Sequence, residues 1–179
     1  MSYESANGRL RLWVAGDLMP TRRLVPFREP SYQALIDLIK AHDVAFGNLE
    51  TVVRRSDEGY PNFTQGTPMS TPPQLLEDLQ WMGFNLFSIA NNHATDYGTS
   101  GVLAMCAHLD HAGCVAAGAG PNLASARAPR YLDTPAGRVA LVACTSFFRM
   151  WNRAADQRPD VQGRPGINPL AFERIYRLP

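Results

Sequence analysis

Several features that would quickly assign a chain to a class of protein are missing from this sequence. Its 179 residues contain no run of basic residues, and 17 Lys and Arg nearly balance 16 Asp and Glu, for a formal net charge of +1. A protein whose main partner is nucleic acid needs a basic face to neutralise phosphates. The charge balance therefore argues against nucleic acid as the main partner.

Signals for secretion and for the membrane are missing as well. The polar start MSYESANGRL lacks the basic and apolar regions of a signal peptide. No stretch of the sequence reaches the roughly 18 apolar residues that a membrane-spanning helix needs. We therefore predict a chain without a membrane span that is located in the cytoplasm.

Cysteine is scarce. The three cysteines, Cys106, Cys114 and Cys144, are odd in number and lie in apolar stretches of the sequence. This pattern favours small buried apolar side chains over a disulfide or a set of metal ligands.

The apolar residues that are present predict an α/β fold. They make up 45% of a chain whose length suits one domain. Strands alternate with helices, and this order favours a mainly parallel sheet flanked by helices. We assign residues 1–9 to a disordered tail and 10–179 to a single domain. Strands are predicted at 10–15, 44–47, 84–90 and 114–117, a long loop at 51–70, a hairpin over 130–133 and 138–144, and a last helix at 170–177.

Capping residues and apolar stripes place the helices. Ser31 is the predicted N-cap of the first helix, Thr71 followed by Pro72 starts the second, and Thr99 or Ser100 caps the third. The predicted inward-facing residues are Leu35, Leu38, Ile39 and His42, then Leu75, Leu76, Leu79 and Met82, then Val102, Leu103, Cys106 and Leu109.

Polar residues cluster where three of the predicted strands end. Asp17 follows the first strand, Asn48 and Glu50 end the second, and the run 91–93 (Asn-Asn-His) ends the third, with Asp96 three residues later. In parallel α/β sheets, ligands bind outside the carboxyl ends of the strands. We therefore expect these side chains to meet in one crevice.

The residue types in this cluster suit a divalent metal ion. Carboxylates and amide carbonyls supply hard oxygen ligands, and His supplies nitrogen; the set fits Mn, Mg, Zn or Fe without choosing among them. Such a site activates water for attack at a phosphorus or carbonyl centre, with an imidazole as proton donor. Structural roles are the alternative interpretation: Asp17 could belong to a turn, Glu50 could cap a loop, and Asp96 could orient His93 or cap a helix.

Other candidate residues carry weaker signals. His108 and His111 project away from the apolar stripe of their helix, which predicts a solvated face rather than a metal site. Trp151 could line a substrate cleft or serve as core or lid. Arg22 and Arg23 could reach an anionic substrate or form an ordinary surface pair.

Three motifs identify a family resemblance: GDLMPTR at 16–22, FGNLET at 46–51 and IANNHATDYG at 89–98. They resemble the poly-γ-glutamate capsule-synthesis family, often called CapA-like, which belongs to the calcineurin-like metallophosphatase superfamily. AGCVAAGAG at 112–120 and RPGINPL at 164–170 are similar to further segments of that family. The resemblance runs from about residue 10 to the end.

The resemblance implies roles for individual residues. Asp17 corresponds to the first metal-binding Asp, Glu50 stands where the superfamily has its bridging carboxylate, Asn92 matches a metal ligand and His93 the catalytic imidazole. Asp96 is the second candidate catalytic residue because of its position three residues after His93, and not because of the resemblance. Met19 occupies the position of a histidine ligand in the superfamily's first motif, so that ligand is absent.

The resemblance also implies a fold and a function. The chain would form the N-terminal half of a four-layer αββα sandwich, with the family's remaining histidine ligands beyond Pro179, and would expose a sheet face through which copies could associate. The implied function is a divalent-metal-dependent hydrolase-type domain of poly-γ-glutamate or capsular polymer metabolism, acting on an anionic polymer or phosphoester-type substrate. The alternatives are a non-catalytic binding or assembly component of capsule biosynthesis and an inactive truncated relative.

Overall fold

A four-stranded parallel sheet organises the chain. The computed structural model describes residues 9–62, 66–173 and 175–177. In chain order the elements are β1 Leu12–Leu18, α1 Pro30–Lys40, β2 Val44–Leu49, β3 Val52–Val53, β4 Ser70–Thr71, α2 Pro73–Trp81, β5 Leu86–Ser88, α3 Gly98–His111, β6 Val115–Ala117, β7 Ala119–Gly120, α4 Leu123–Arg127, β8 Arg130–Thr134, β9 Gly137–Leu141, a 3-10 turn Met150–Asn152 and β10 Gly166–Ile167. The main sheet has the order β1-β2-β5-β6, with every pair parallel. The predicted α/β fold is confirmed.

The helices α1, α2 and α3 pack on one face of this sheet. Phe87 of β5 is completely buried among them, and the apolar core around it is one continuous cluster. Burying each large apolar side chain of such a core stabilises the fold by about 1.5–3 kcal/mol. No helix of the described residues is both long and apolar enough to cross a membrane, and location in the cytoplasm stays a prediction. The helix residues of the core are Ile36, Ile39, Leu76, Leu79, Val102, Met105 and Leu109.

The other face of the sheet is only partly covered. Successive strand residues point to opposite faces, so Trp13 and Ala15 of β1 pack against the core while Leu12 and Val14 face away from it. Leu12 is 46% exposed and Val14 is 62% exposed. The expected exposed sheet surface is therefore present at β1, and self-association through it stays a prediction.

Two helices begin at a proline rather than after the predicted polar cap. Pro30 is the first residue of α1, so Ser31 lies inside the helix, and α2 begins at Pro73. Thr71 instead belongs to β4, and its hydroxyl donates to the carbonyl of Pro20 at 2.7 Å. The reason is that proline at the first helical position has its φ angle already set and loses no hydrogen bond.

The apolar stripes of α1 and α3 were only partly right. Leu35, Leu38 and Leu103 were predicted to face inward but are exposed, and Ile36 is buried instead. The stripe on each helix is broader than the face that the sheet can cover, so periodicity alone does not select the residues in contact. The predicted stripe of α2 is confirmed, and Gly83 ends this helix with a positive φ of 110°.

The C-terminal third contains one confirmed and one wrong prediction. β8 and β9 form the predicted antiparallel hairpin. The helix predicted over 170–177 is wrong for the residues described there, 170–173 and 175–177, which are irregular. β10 pairs with β7 instead, in an antiparallel ladder that the sequence did not indicate. The predicted tail falls almost wholly on residues 1–8, outside the described residues, and the domain boundary stays a prediction.

The cysteines behave differently from one another. Burial raises the pKa of the Cys106 and Cys114 thiols to about 11, which keeps both protonated and unreactive. Cys144 is exposed, so the prediction of a buried side chain is wrong for that residue.

A buried carboxylate ties the segment after β1 to α2. Asp78 accepts hydrogen bonds from Nε of Arg23 at 2.9 and 3.0 Å and from the backbone amides of Leu24 and Val25. Burial raises the pKa of Asp78, but these hydrogen bonds outweigh it and hold the pKa below its ordinary value of 3.8. Arg23 thus has a structural role although its side chain is 54% exposed, and Arg22 is exposed as well.

Replacing Asp78 by Asn is expected to lower the free energy of unfolding by about 2 kcal/mol at neutral pH, because a charged acceptor of several hydrogen bonds is lost. Since the folded-state pKa is lowered, this stabilisation is complete above the unfolded-state value of 3.8 and disappears as pH falls through the folded-state value. Urea unfolding at neutral pH and at a pH below the folded-state pKa of Asp78 measures the loss of stability in each condition. Asp37→Asn, at an exposed position of α1, is the control; an equal loss for Asp78→Asn at both pH values contradicts the prediction.

Candidate functional site

The structure brings the three polar strand ends to one edge of the sheet. β1, β2 and β5 are neighbours, and Asp17 lies directly opposite Asn48 in the β1–β2 register. Asn48 is in turn opposite Ser88 of β5, the strand that leads into the run 91–93. Parallel strands place these residues side by side although they lie far apart in sequence.

A chain of hydrogen bonds connects these strand ends. Asn48 donates from Nδ2 to Oδ1 of Asp17 at 2.8 Å. Asn91 donates to Oδ1 of Asn48 at 3.2 Å and to the carbonyl of Leu49 at 2.9 Å, and its own Oδ1 accepts from the backbone amide of His93 at 3.1 Å. Asn91 therefore acts as the structural link, and it holds His93 in a fixed position relative to Asp17.

Asp17 and Glu50 form a pair of carboxyl groups in hydrogen-bond contact. The pKa of Asp17 is lowered by the hydrogen bonds from Asn48 and Glu50. The pKa of Glu50 is raised, chiefly by its burial and then by the hydrogen bond and charge of Asp17. Two ionised carboxylates in contact repel each other, and a bound cation would relieve this repulsion.

His93 and Asp96 form a second polar pair beside the first. Nδ1 of His93 lies 2.7 Å from Oδ2 of Asp96, which also accepts from the backbone amide of Met69 at 2.7 Å. An ionised carboxylate only accepts hydrogen bonds, so Nδ1 carries a proton and Nε2 is left as the basic nitrogen. Asp96 thus orients the imidazole rather than capping α3, whose N-cap is Tyr97.

Asn92 and His93 open onto a cleft of about 420 Å³. Within the described part of the chain, the side chain of Asn92 forms no hydrogen bond. The opposite wall comes from the segment 147–152. Trp151 is part of this wall, in agreement with one of the two positions that its sequence allowed. His93 and Asp96 both line the cleft, which is large enough for a small ligand or one unit of a polymer.

The chemistry of the site fits a hard divalent cation. Asp17 and Glu50 supply two carboxylates. Asn92, which follows β5 in the sequence, supplies an amide oxygen. Mg²⁺ and similar ions often bind through one or two carboxylates and keep several waters. Among the residues that the structure describes, no group of three or more His, Cys, Asp or Glu side chains is placed to hold a metal ion. The side chains that could hold a metal ion here are therefore few, and they offer oxygen atoms.

One side-chain pair near the cleft was missed by the sequence analysis. Nε2 of His108 lies 2.6 Å from Oε2 of Glu58, and their side chains are only 14% and 19% exposed, so the predicted solvated face is wrong for His108. This pair fastens the loop after β3 onto α3. The same loop carries Asn62, which lines the cleft. The backbone amide of Asn62 donates to the carbonyl of Asp96 at 2.6 Å. Because the partners are 50 positions apart in the sequence, no local sequence signal indicates the pair.

Comparison with known proteins agrees with this arrangement of motifs. The family model described as bacterial capsule synthesis protein PGA_cap matches residues 11–174. Two uncharacterized proteins of Sinorhizobium fredii, y4sH and y4uA, are each 38% identical over 162 residues, covering 89% of this chain and 35% of the relative. The capsule biosynthesis protein CapA of Bacillus anthracis is 25% identical over 169 residues, covering 91% of this chain and 40% of CapA.

The chain thus spans 35–40% of the length of the curated relatives that it matches. The matched region contains all the residues of the candidate site, from Asp17 to Asp96, and the segment 147–152 across the cleft. On the extent of this match, the chain belongs to the bacterial capsule synthesis protein family PGA_cap.

Proposed function

We propose that the chain provides a divalent-metal-dependent hydrolase-type site that acts in the metabolism of poly-γ-glutamate or a related capsular polymer. The observation that carries the proposal is the continuous set of contacts from Asp17 through Asn48 and Asn91 to His93. These contacts connect an acidic pair to an oriented imidazole, and the imidazole lines the cleft. Membership of the capsule synthesis family supports the biological setting.

The acidic pair is the proposed metal site. Asp17, Glu50 and Asn92 would hold the cation, which when bound supplies Lewis-acid activation of a phosphoryl or carbonyl oxygen. Cation binding would favour the ionised form of Glu50, whose pKa is raised, because metal ligands must be deprotonated. Two further parts of the mechanism belong to the protein alone: orientation of the substrate and transfer of a proton.

His93 is the proposed acid and base. Asp96 fixes the ring through Nδ1, so Nε2 can hold a proton for the leaving group or remove one from the attacking water. The amide of Met69 keeps the Asp96 carboxylate in place from the opposite side. This arrangement resembles the way in which a carboxylate orients a catalytic imidazole in other hydrolytic sites.

Turnover that depends on added metal is the expected result of a direct assay. The chain would be incubated with a phosphodiester and with a γ-glutamyl amide, each with Mn²⁺ and with a chelator. We expect hydrolysis of at least one substrate with Mn²⁺ and its loss on chelation, because the carboxylate pair alone cannot polarise the substrate. No hydrolysis of either substrate, or equal rates with and without chelator, contradicts the proposal.

A second function is favoured by the small number of metal ligands. Met19 cannot supply the ligand that the superfamily motif has at its position, and the described residues contain no larger group of metal-binding side chains. The chain would then be a non-catalytic binding or assembly component of capsule biosynthesis. Binding of a γ-glutamyl oligomer with no turnover under any metal condition would select this function over the first.

A further inference from the structure

The wall of the cleft opposite His93 is unusually apolar for an exposed surface. Phe147 is 74% exposed and Trp151 is 52% exposed, and both line the cleft. Large aromatic side chains that stand at a cleft next to polar groups commonly mark a ligand-binding surface.

Arg149 gives this wall a positive charge. Its guanidinium lies 5.2 Å from the ring centroid of Trp151, and it lines the same cleft as His93. Among the described residues, no carboxylate lies within 4.0 Å of the guanidinium of Arg149. By contrast, Arg158, nine positions later, pairs with Asp160 at 3.1 Å. Arg149 therefore has a charge that no acidic side chain of the described protein neutralises.

The backbone around Arg149 is held in place by a second arginine. Arg164 donates from Nε to the carbonyl of Arg153 at 3.0 Å and from Nη2 to the carbonyl of Met150 at 3.2 Å. Arg153 also pairs with Ile167 of β10 as an isolated bridge. The turn that carries Arg149 and Trp151 is thus fastened at both ends, which lowers the entropy lost when a ligand binds to it.

We infer that the cleft between His93 and the Met150–Asn152 turn is an oxyanion subsite, in which Arg149 binds a carboxylate or phosphate group of the substrate. The inference rests on the proposed function, since it assigns the charged part of that function's substrate. A guanidinium presents a planar fork of donors that matches the two oxygens of such a group. The ring of Trp151, 5.2 Å from the guanidinium, adds a cation–π contact that helps to hold the fork in place.

The subsite also compensates the charge of the rest of the site. Asp17, Glu50 and Asp96 make the strand ends acidic and would repel an anionic substrate. Arg149 across the cleft provides the attraction that brings such a substrate within reach of His93. It is a specificity-determining residue, and it acts on the part of the substrate that does not react.

Binding measured without metal and without turnover tests the subsite separately from the hydrolase proposal. Calorimetric titration of the chain in a chelating buffer would use tri-γ-glutamate and, separately, inorganic phosphate. At least one probe should bind the unmodified chain, and Arg149→Gln should weaken that probe by about tenfold or more, because a charge-assisted hydrogen-bonding pair is lost. Arg149→Lys should recover only part of the affinity, since it restores the charge but not the fork.

Arg158→Gln is the matched control, because it removes the same charge from an exposed arginine that is already paired. Loss specific to Arg149 with tri-γ-glutamate assigns the subsite to a carboxylate, and loss specific to Arg149 with phosphate assigns it to a phosphate. Binding of neither probe, or equal weakening by Arg149→Gln and Arg158→Gln, overturns the inference. An Arg149-dependent affinity that persists in a chain without metal-dependent turnover would leave the subsite standing while the hydrolase proposal fails.

Discussion

Mn²⁺ is expected to bind about 100-fold more weakly to a chain in which Asp17→Asn and Glu50→Gln are combined, because the affinity of hard cations depends on the number of charged oxygen ligands. The two side chains are in contact with each other and carry the only carboxylates assigned to the metal. Amide replacements keep their size and much of their hydrogen bonding, so the sheet should fold as before. Isothermal titration with Mn²⁺ at fixed pH and ionic strength measures the change.

A matched control separates a specific site from general attraction of cations to the protein. Asp37→Asn combined with Glu77→Gln likewise replaces one Asp and one Glu by their amides, at exposed positions on α1 and α2. This control should bind Mn²⁺ as the unmodified chain does. If both double variants lose affinity equally, Asp17 and Glu50 do not form a metal site.

Replacement of His93 by Ala is expected to lower kcat by about 10²–10⁴-fold, the usual contribution of one general acid or base. Mn²⁺ affinity should stay nearly constant, because His93 is assigned to proton transfer and not to the metal. The residue's neighbours should keep their positions, since the hydrogen bond from residue 93 to Asn91 comes from the backbone. Steady-state kinetics and Mn²⁺ titration on the same preparation give the two quantities.

His111→Ala is the control for this variant, because His111 is an exposed histidine of α3 away from the cleft. Its kcat should equal that of the unmodified chain. A His93→Ala chain that retains full kcat would exclude His93 as the acid or base. A His93→Ala chain that loses Mn²⁺ affinity in parallel with kcat would instead make this histidine a metal ligand.

The parts of the structure that depend on short-range patterns were predictable. Short apolar strands alternating with helices predicted the parallel sheet, and the sheet in turn predicted that Asp17, Asn48 and the run 91–93 would meet. The structure brings these residues into hydrogen-bond contact. The prediction worked because neighbouring strands of a parallel sheet run in the same direction, so their carboxyl ends lie at one edge whatever their separation in sequence.

The parts that depend on long-range pairing were not predictable from one sequence. His108 contacts Glu58 and Arg23 contacts Asp78 across 50 and 55 residues, and neither partner carries a local signal of the other. Arg149 was likewise not singled out, because its position across the cleft from His93 depends on how the 3-10 turn Met150–Asn152 packs. Side chains whose roles depend on tertiary packing need the structure, whereas residues at strand ends do not.

The most direct measurement of the central claim is the location of bound Mn²⁺ in the chain. Paramagnetic Mn²⁺ broadens the NMR signals of nearby amides, and substoichiometric addition to isotope-labelled protein shows where the ion binds. We predict that the amide signals of Asp17, Glu50 and Asn92 lose intensity first, while those of the β8–β9 hairpin, such as Tyr131, are unchanged. Broadening spread evenly over exposed carboxylates, with no preference for the ends of β1, β2 and β5, would contradict the assignment of a metal site to this edge of the sheet.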